Sequence, residues 1–204
     1  MPASYPTSIK SFTTKQDNVD DVLAAHINDL QDEVVAIETA LGVGKATSYV
    51  NHTFTADQSY RSIAVSTGIP VDNTIPQSTE GAEYTQLTTS HTPKKTTNIL
   101  EIEVIVQAKL PAGNGSGFII ALFKDSETDA RAVTCAHHGT DSNGSAQVLK
   151  IMYRMTAGTT SAISFKVRVS VAGSTANAEV NSGRSSETLG NKITSNLLVR
   201  EFNA

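Results

Sequence analysis

Cys135, His137 and His138 place a thiol and two imidazoles within four positions. On a strand, Cys135 and His137 point the same way and could share a metal ion. Two ligands do not close a zinc site, which takes three or four. Cys135 is the sole cysteine, and His91 lies remote in sequence. The run Ala132-Val133-Thr134-Cys135-Ala136 suggests instead that the thiol is a small buried hydrophobe. Asp125, Glu127 and Asp129 alternate like the first ligands of a calcium loop, but the glycine and closing glutamate of an EF-hand are missing. A solvated acidic turn fits them better. The chain carries no phosphate loop, nucleophile elbow or zinc-helix motif. The expectation is therefore no catalytic residues, no metal, no cofactor and no enzyme activity.

Composition narrows the partners. The 204 residues have a net charge of −4, so no basic footprint for nucleic acid is present. No stretch approaches the roughly 18 apolar residues of a membrane span. The N-terminus lacks the basic and apolar regions of a signal peptide, which predicts synthesis in a host cytoplasm. There is no Trp, and aromatics are 5%, which disfavours glycan binding by ring stacking and leaves binding through polar loops open.

The elements that would position any site fall into segments. Residues 1–16 are polar, with Pro2 and Pro6. Residues 17–42 read as one helix, capped by Asp17 or Asn18 and stopped by Gly42. Within it, Leu23, Ile27, Leu30, Val34, Ile37 and Leu41 are spaced four, three, four, three, four. That is a heptad seam, with Leu23, Leu30 and Ile37 at d and Ile27, Val34 and Leu41 at a. Its narrow stripe suits a coiled coil better than a globular core helix. β-Branched a with Leu at d leans toward two strands, while Ile37 at d and Leu41 at a pull the other way.

Residues 43–74 read as a linker that can hold strands, and 75–204 as a head. Period-two alternation marks strands at 100–106, 148–155 and 161–171. Phe118 to Phe123 is apolar on both faces, so it is either a central strand covered on both sides or one that faces a subunit interface. Further strands are expected at 61–66, 83–89, 131–137 and 196–202. Turns are expected at 112–115, 142–144 and 157–160. Together they predict a mainly β protein: a helical coiled-coil stalk followed by an antiparallel, jelly-roll-like β-sandwich. A hairpin of 148–156 with 161–170 would set Lys150 opposite Arg168 and Met152 opposite Lys166. Like charges facing across a ladder need acid nearby, and Glu101 and Glu103 could supply it. These five charges form the expected network, between strands or between subunits.

Two stretches resemble the virion appendages of tailed phages, which include tail fibres and head fibres. The first is Tyr5-Pro6-Thr7-Ser8-Ile9 with Val22 to Val34 and Ala36 to Gly42. The second runs through Glu80 to Tyr84, Asn98 to Val104, Ala121 to Asp125 and Ser195 to Phe202. The resemblance implies a homotrimer whose residues 1–16 dock on a capsid or tail protein, with Tyr5, Pro6, Ile9 and Phe12 carrying the attachment. It implies a β-sandwich head facing outward from the virion surface, where a host glycan or protein would be met. It supplies no catalytic residues, and it decides for three strands. A capsid cement protein and a receptor-binding tail fibre are the alternative readings.

Overall fold

A computed structural model of the chain describes residues 24–41, 50–110, 117–137, 145–183 and 187–204. It divides into two compact units, Met1–Ser48 and Tyr49–Ala204. In the first unit, α1 spans Ala24–Leu41. The helix contains neither Gly nor Pro, and its 18 residues give a rod about 27 Å long. It is not apolar enough to cross a membrane. The caps expected at 17, 18 and 42 lie outside the described residues, as do Leu23 and the attachment residues Tyr5, Pro6, Ile9 and Phe12.

The second unit is built from antiparallel strands: β1 (Asn51–Asp57), β2 (Arg61–Ile63), β3 (Ala82–Glu83), β4 (Thr89–His91), β5 (Ile99–Leu110), β6 (Gly117–Lys124), β7 (Ala132–His137), β8 (Ser145–Thr156), β9 (Ile163–Val171), β10 (Ala178–Val180) and β11 (Ser195–Phe202). A six-stranded sheet has β5 near its centre, with β8 along one edge and β11 then β10 along the other. β1 pairs outside β11, and β2 outside β10. A five-stranded sheet runs β7, β6, β9, with β3 and β4 end to end along the free side of β9.

Alternation explains how the sheets meet. Leu100, Ile102, Val104, Val106, Ala108 and Leu110 of β5 are fully buried. They share one core with Phe118, Ile120 and Leu122 of β6 and Ile163, Phe165, Val167 and Val169 of β9. Strand β6 is also buried on its other face, where Ile119, Ala121 and Phe123 pack with Ile69. Of the two expectations for this strand, cover within the chain is the one observed. The covering segment is held against the turn after β9, where a Cβ at Gly68 would lie 2.5 Å from the Ser174 amide nitrogen.

Several sequence expectations need correction. The segment 43–74 holds β1 and β2, which belong to the first sheet, so the head begins near residue 50 and not at 75. The strand expected at 83–89 is broken by a 3-10 turn, Thr85–Leu87, which buries Leu87. The hairpin of β8 with β9 does not form. β8 pairs with β5 from Ser145 to Thr156, and β9 is paired on both edges in the other sheet. The connection crosses between sheets and is held to the 96–98 loop, with the Ala157 amide donating to the Asn98 carbonyl and Gly158 to that of Thr96, both at 2.8 Å. The turns expected at 112–115 and 142–144 lie outside the described residues.

Phe165 faces the shared core with no exposure. Phe165→Ala is expected to cost about 3–5 kcal/mol, read as a lower denaturant midpoint with unchanged slope. A cost below 1 kcal/mol would contradict the shared core.

Candidate functional site

The outward face of the first sheet gathers charge and apolar surface in rows set by strand register. One row runs His52, Arg200, Glu101, Arg154 and the next Phe54, Leu198, Glu103, Met152. A third runs Ala56, Asn196, Ile105, Lys150. Lys150 Nζ lies 3.3 Å from Glu103, and Arg154 Nε lies 3.6 Å from Glu101. Arg200 Nη1 reaches both acids, at 3.2 Å and 3.5 Å. The Arg154 guanidinium also stands 5.9 Å from the Phe202 ring centroid, within cation–π range. Lys150 and Arg154 are largely solvated, so each pair contributes at most about 1 kcal/mol. The charges are balanced to within one, three cations against two acids. Phe54, Val148 and Met152 stand exposed among them.

The structure thus brings together Glu101, Glu103 and Lys150 of the expected network. Lys166 and Arg168 are not part of it, because β9 lies in the other sheet. Arg154 and Arg200 take their places. Alternation already put Arg154 on the same side as Lys150, but the pairing of β11 with β5 that delivers Arg200 is long-range and left no local signal.

A second polar cluster is buried. His91 on β4, Thr53 on β1 and Glu201 on β11 tie the two sheets where the chain enters the head. The Thr53 hydroxyl lies 2.9 Å from His91 Nδ1, and His91 Nε2 lies 3.4 Å from Glu201. Glu201 also accepts 2.7 Å bonds from the Lys94 amide and the Asn98 side chain. The order hydroxyl, imidazole, carboxylate is that of a nucleophilic relay. Here His91 is wholly buried with both ring nitrogens occupied, so a substrate has no approach to it. The cluster acts as a clamp. Burial pushes the His91 pKa down, against a partial pull from Glu201. Burial would raise that of Glu201, but its hydrogen bonds outweigh burial and hold the carboxyl below its usual range.

A comparable knot fixes the far end of β1. Tyr84 donates to Asp57 at 2.9 Å, Arg61 Nε lies 3.0 Å from the same carboxylate, and Asn181 donates to the Asp57 and Ser59 carbonyls at 3.0 Å. Asn181 has φ +58°, a left-handed backbone that Asn tolerates, and its side-chain Oδ1 accepts from the Ser195 hydroxyl at 2.6 Å.

Cys135 corrects the expectation of a buried thiol: it is exposed. β7 is an edge strand whose inward positions fall to Ala132, Thr134 and Ala136, which turns Val133, Cys135 and His137 outward. His138 lies outside the described residues. Among the described residues, no group of three or more His, Cys, Asp or Glu is placed to hold a metal.

No protein-family model matches the chain, and neither does any curated protein. Among solved structures, it is similar to the VP2 subviral particle of infectious bursal disease virus at 12% identity and TM-score 0.37, covering 76% of this chain and 34% of that one. It is similar to latent PorU of Porphyromonas gingivalis at 9% identity and TM-score 0.31, covering 79% and 14%. A third is the enzymatically active domain of tailspike protein 4 of bacteriophage CBA120, at 12% identity and TM-score 0.22, covering 69% and 20%. The chain spans about a third or less of each, and these likenesses assign neither a family nor a role.

The clamp sets a pH dependence. His91 favours its neutral form in the fold, so its contribution is complete above its ordinary 6.5 and falls away as the pH drops below it. Glu201 adds stability above its ordinary 4.5 that is lost as the pH falls through its lower folded value. Both predict weakening on the acid side. Thermal melts of the wild-type protein are expected to fall below about pH 6.5, and His91→Gln to flatten the upper part of that fall. A melting temperature constant from pH 7.5 to 5 would contradict this.

Proposed function

We propose that the chain is a structural component of a phage particle: a homotrimeric short fibre or head-decoration protein, attached by residues 1–16, with an outward β head that contacts a host surface. One observation carries the reading. Ile27, Leu30, Val34 and Ile37 of the heptad seam are between 38% and 55% exposed in a single chain. A heptad seam left this open calls for partner helices, because its burial is what stabilises a helix of this length. The resemblance of residues 4–42 to phage appendages supports three partners and an attached N-terminus. The mixed face of the first sheet, with exposed Phe54, Val148 and Met152 and charges already paired within it, would suit contacts between heads.

The mechanism is mechanical. The stalk clamps three chains, and three outward heads turn weak contacts into avid ones. Catalysis plays no part in this reading, and neither nucleic acid nor membrane insertion is needed.

The stalk has a distinctive electrostatic cost. α1 carries Asp29, Asp32, Glu33 and Glu38 and no Lys or Arg. Association of such helices opposes like charge, which salt screens. The trimer is therefore expected to resist dilution better at 0.5 M than at 0.05 M salt, read by sedimentation across a concentration series; the reverse order would contradict the seam as the interface. The reading itself is tested on particles of the phage whose genome encodes the chain. Gold-labelled antibody against the head is expected to mark the particle surface, and particles lacking the chain to adsorb more slowly. Normal adsorption with lost heat resistance would make it a cement protein, and absence from the particle would overturn the proposal.

A further inference from the structure

Lys166 and Arg168, displaced from the charge network, sit side by side on the outward face of β9. They line a cavity of about 230 Å3 with Glu83 of β3 and with Asp125, Ser126 and Glu127 of the turn after β6. We propose that this cavity binds an acidic sugar, a single pyranose ring that bears one carboxylate.

The partners of each charge lead there. Arg168 donates from Nε to the Glu80 carbonyl at 2.6 Å and from Nη2 to that of Gly81 at 2.7 Å. These bonds fix the plane of the guanidinium without cancelling its charge, and Nη1 takes no part in them. Lys166 forms no ion pair among the described residues. Two cations with unspent donors therefore stand two strand positions apart, about 6.6 Å along β9.

The three acids are already committed. Asp125 pairs with Lys124 at 2.9 Å and accepts the Ser164 amide at 2.8 Å. Glu127 pairs with Arg131 and Lys124. Glu83 accepts the Thr88 hydroxyl at 2.9 Å. Glu83 stands opposite Arg168 in the ladder, and the two charges act on each other, as do those of Asp125 and Lys166, but no ion pair closes between them. The remaining lone pairs of the acids can still accept hydrogen bonds.

This lining selects its ligand. The cavity residues sum to two cations and three acids, a net charge of −1. A bare dianion gains nothing from that balance. A ligand with one carboxylate for the cations and several hydroxyls for the acids and Ser126 matches both signs. The volume falls below the roughly 300–1,000 Å3 of pockets for drug-sized ligands, which limits entry to about one ring. The site needs no aromatic platform, in keeping with a chain that has no Trp.

The inference rests on the cavity and not on the virion assignment, so the two fail separately. The test is saturation-transfer NMR on the full chain with sodium glucuronate, glucose and sodium sulfate. Glucuronate is expected to bind at least about tenfold more tightly than glucose and to resist displacement by equimolar sulfate. Lys166→Gln is expected to weaken it about tenfold with an unchanged melting temperature. Ser126→Ala, which touches no cation, should weaken it less. Equal binding of glucose, displacement by sulfate, or unchanged affinity in Lys166→Gln would each overturn the proposal.

Discussion

Strand β5 is hydrogen-bonded along both edges and buried along one entire face, and the head depends on that double commitment. Its partners on one side come from β8 and on the other from β11 and β10, so three later and separate segments must converge on it. Its six buried side chains then require a second apolar sheet, which β6 and β9 supply. β9 is paired on both edges, by β6 on one and by β3 and β4 on the other, and has none left for β8. The charges on the outward faces are consequences. Glu101 and Glu103 meet Lys150, Arg154 and Arg200 because they share β5's ladder, while Lys166 and Arg168 are carried to the opposite side of the head.

The ends of the sandwich are held by polar groups. β1 is an edge strand with one neighbour, and its ends are fixed by the His91–Glu201 clamp and the Asp57–Tyr84–Asn181 knot. Buried polar groups of this kind stabilise only when their partners are in place. They therefore fix β1 at neutral pH and make its attachment sensitive to acid. The strand that joins the head to the preceding chain is thus secured by chemistry, where the interior strands are secured by packing.

Much of this was legible in the sequence where the signal is local. Ile163, Phe165, Val167 and Val169 alternate with Ser164, Lys166 and Arg168, and the strand and its faces follow. Phe118 to Phe123 announced a strand buried on both sides. Pairing was not legible. The turn at Ala157 to Thr160 looked like a hairpin because the composition of a tight turn and that of a crossover between sheets are alike. β1 escaped notice because Asn51 to Asp57 carries one large apolar residue, Phe54, and that one faces outward. Cys135 was misplaced because an edge strand exposes the face that a central strand would bury. The clamp joins Thr53, His91 and Glu201, and no spacing in the sequence could have linked them.

In the proposed reading, the exposed seam of α1 is covered by copies of the same chain. Light scattering of the full protein, beside a chain starting at residue 50, addresses it directly. The account predicts a full-length mass near three times 21.6 kDa, with a smaller or weaker assembly once α1 is removed. A full-length monomer would contradict the stalk and the avidity that depends on it, and a dimer would contradict the choice of three strands.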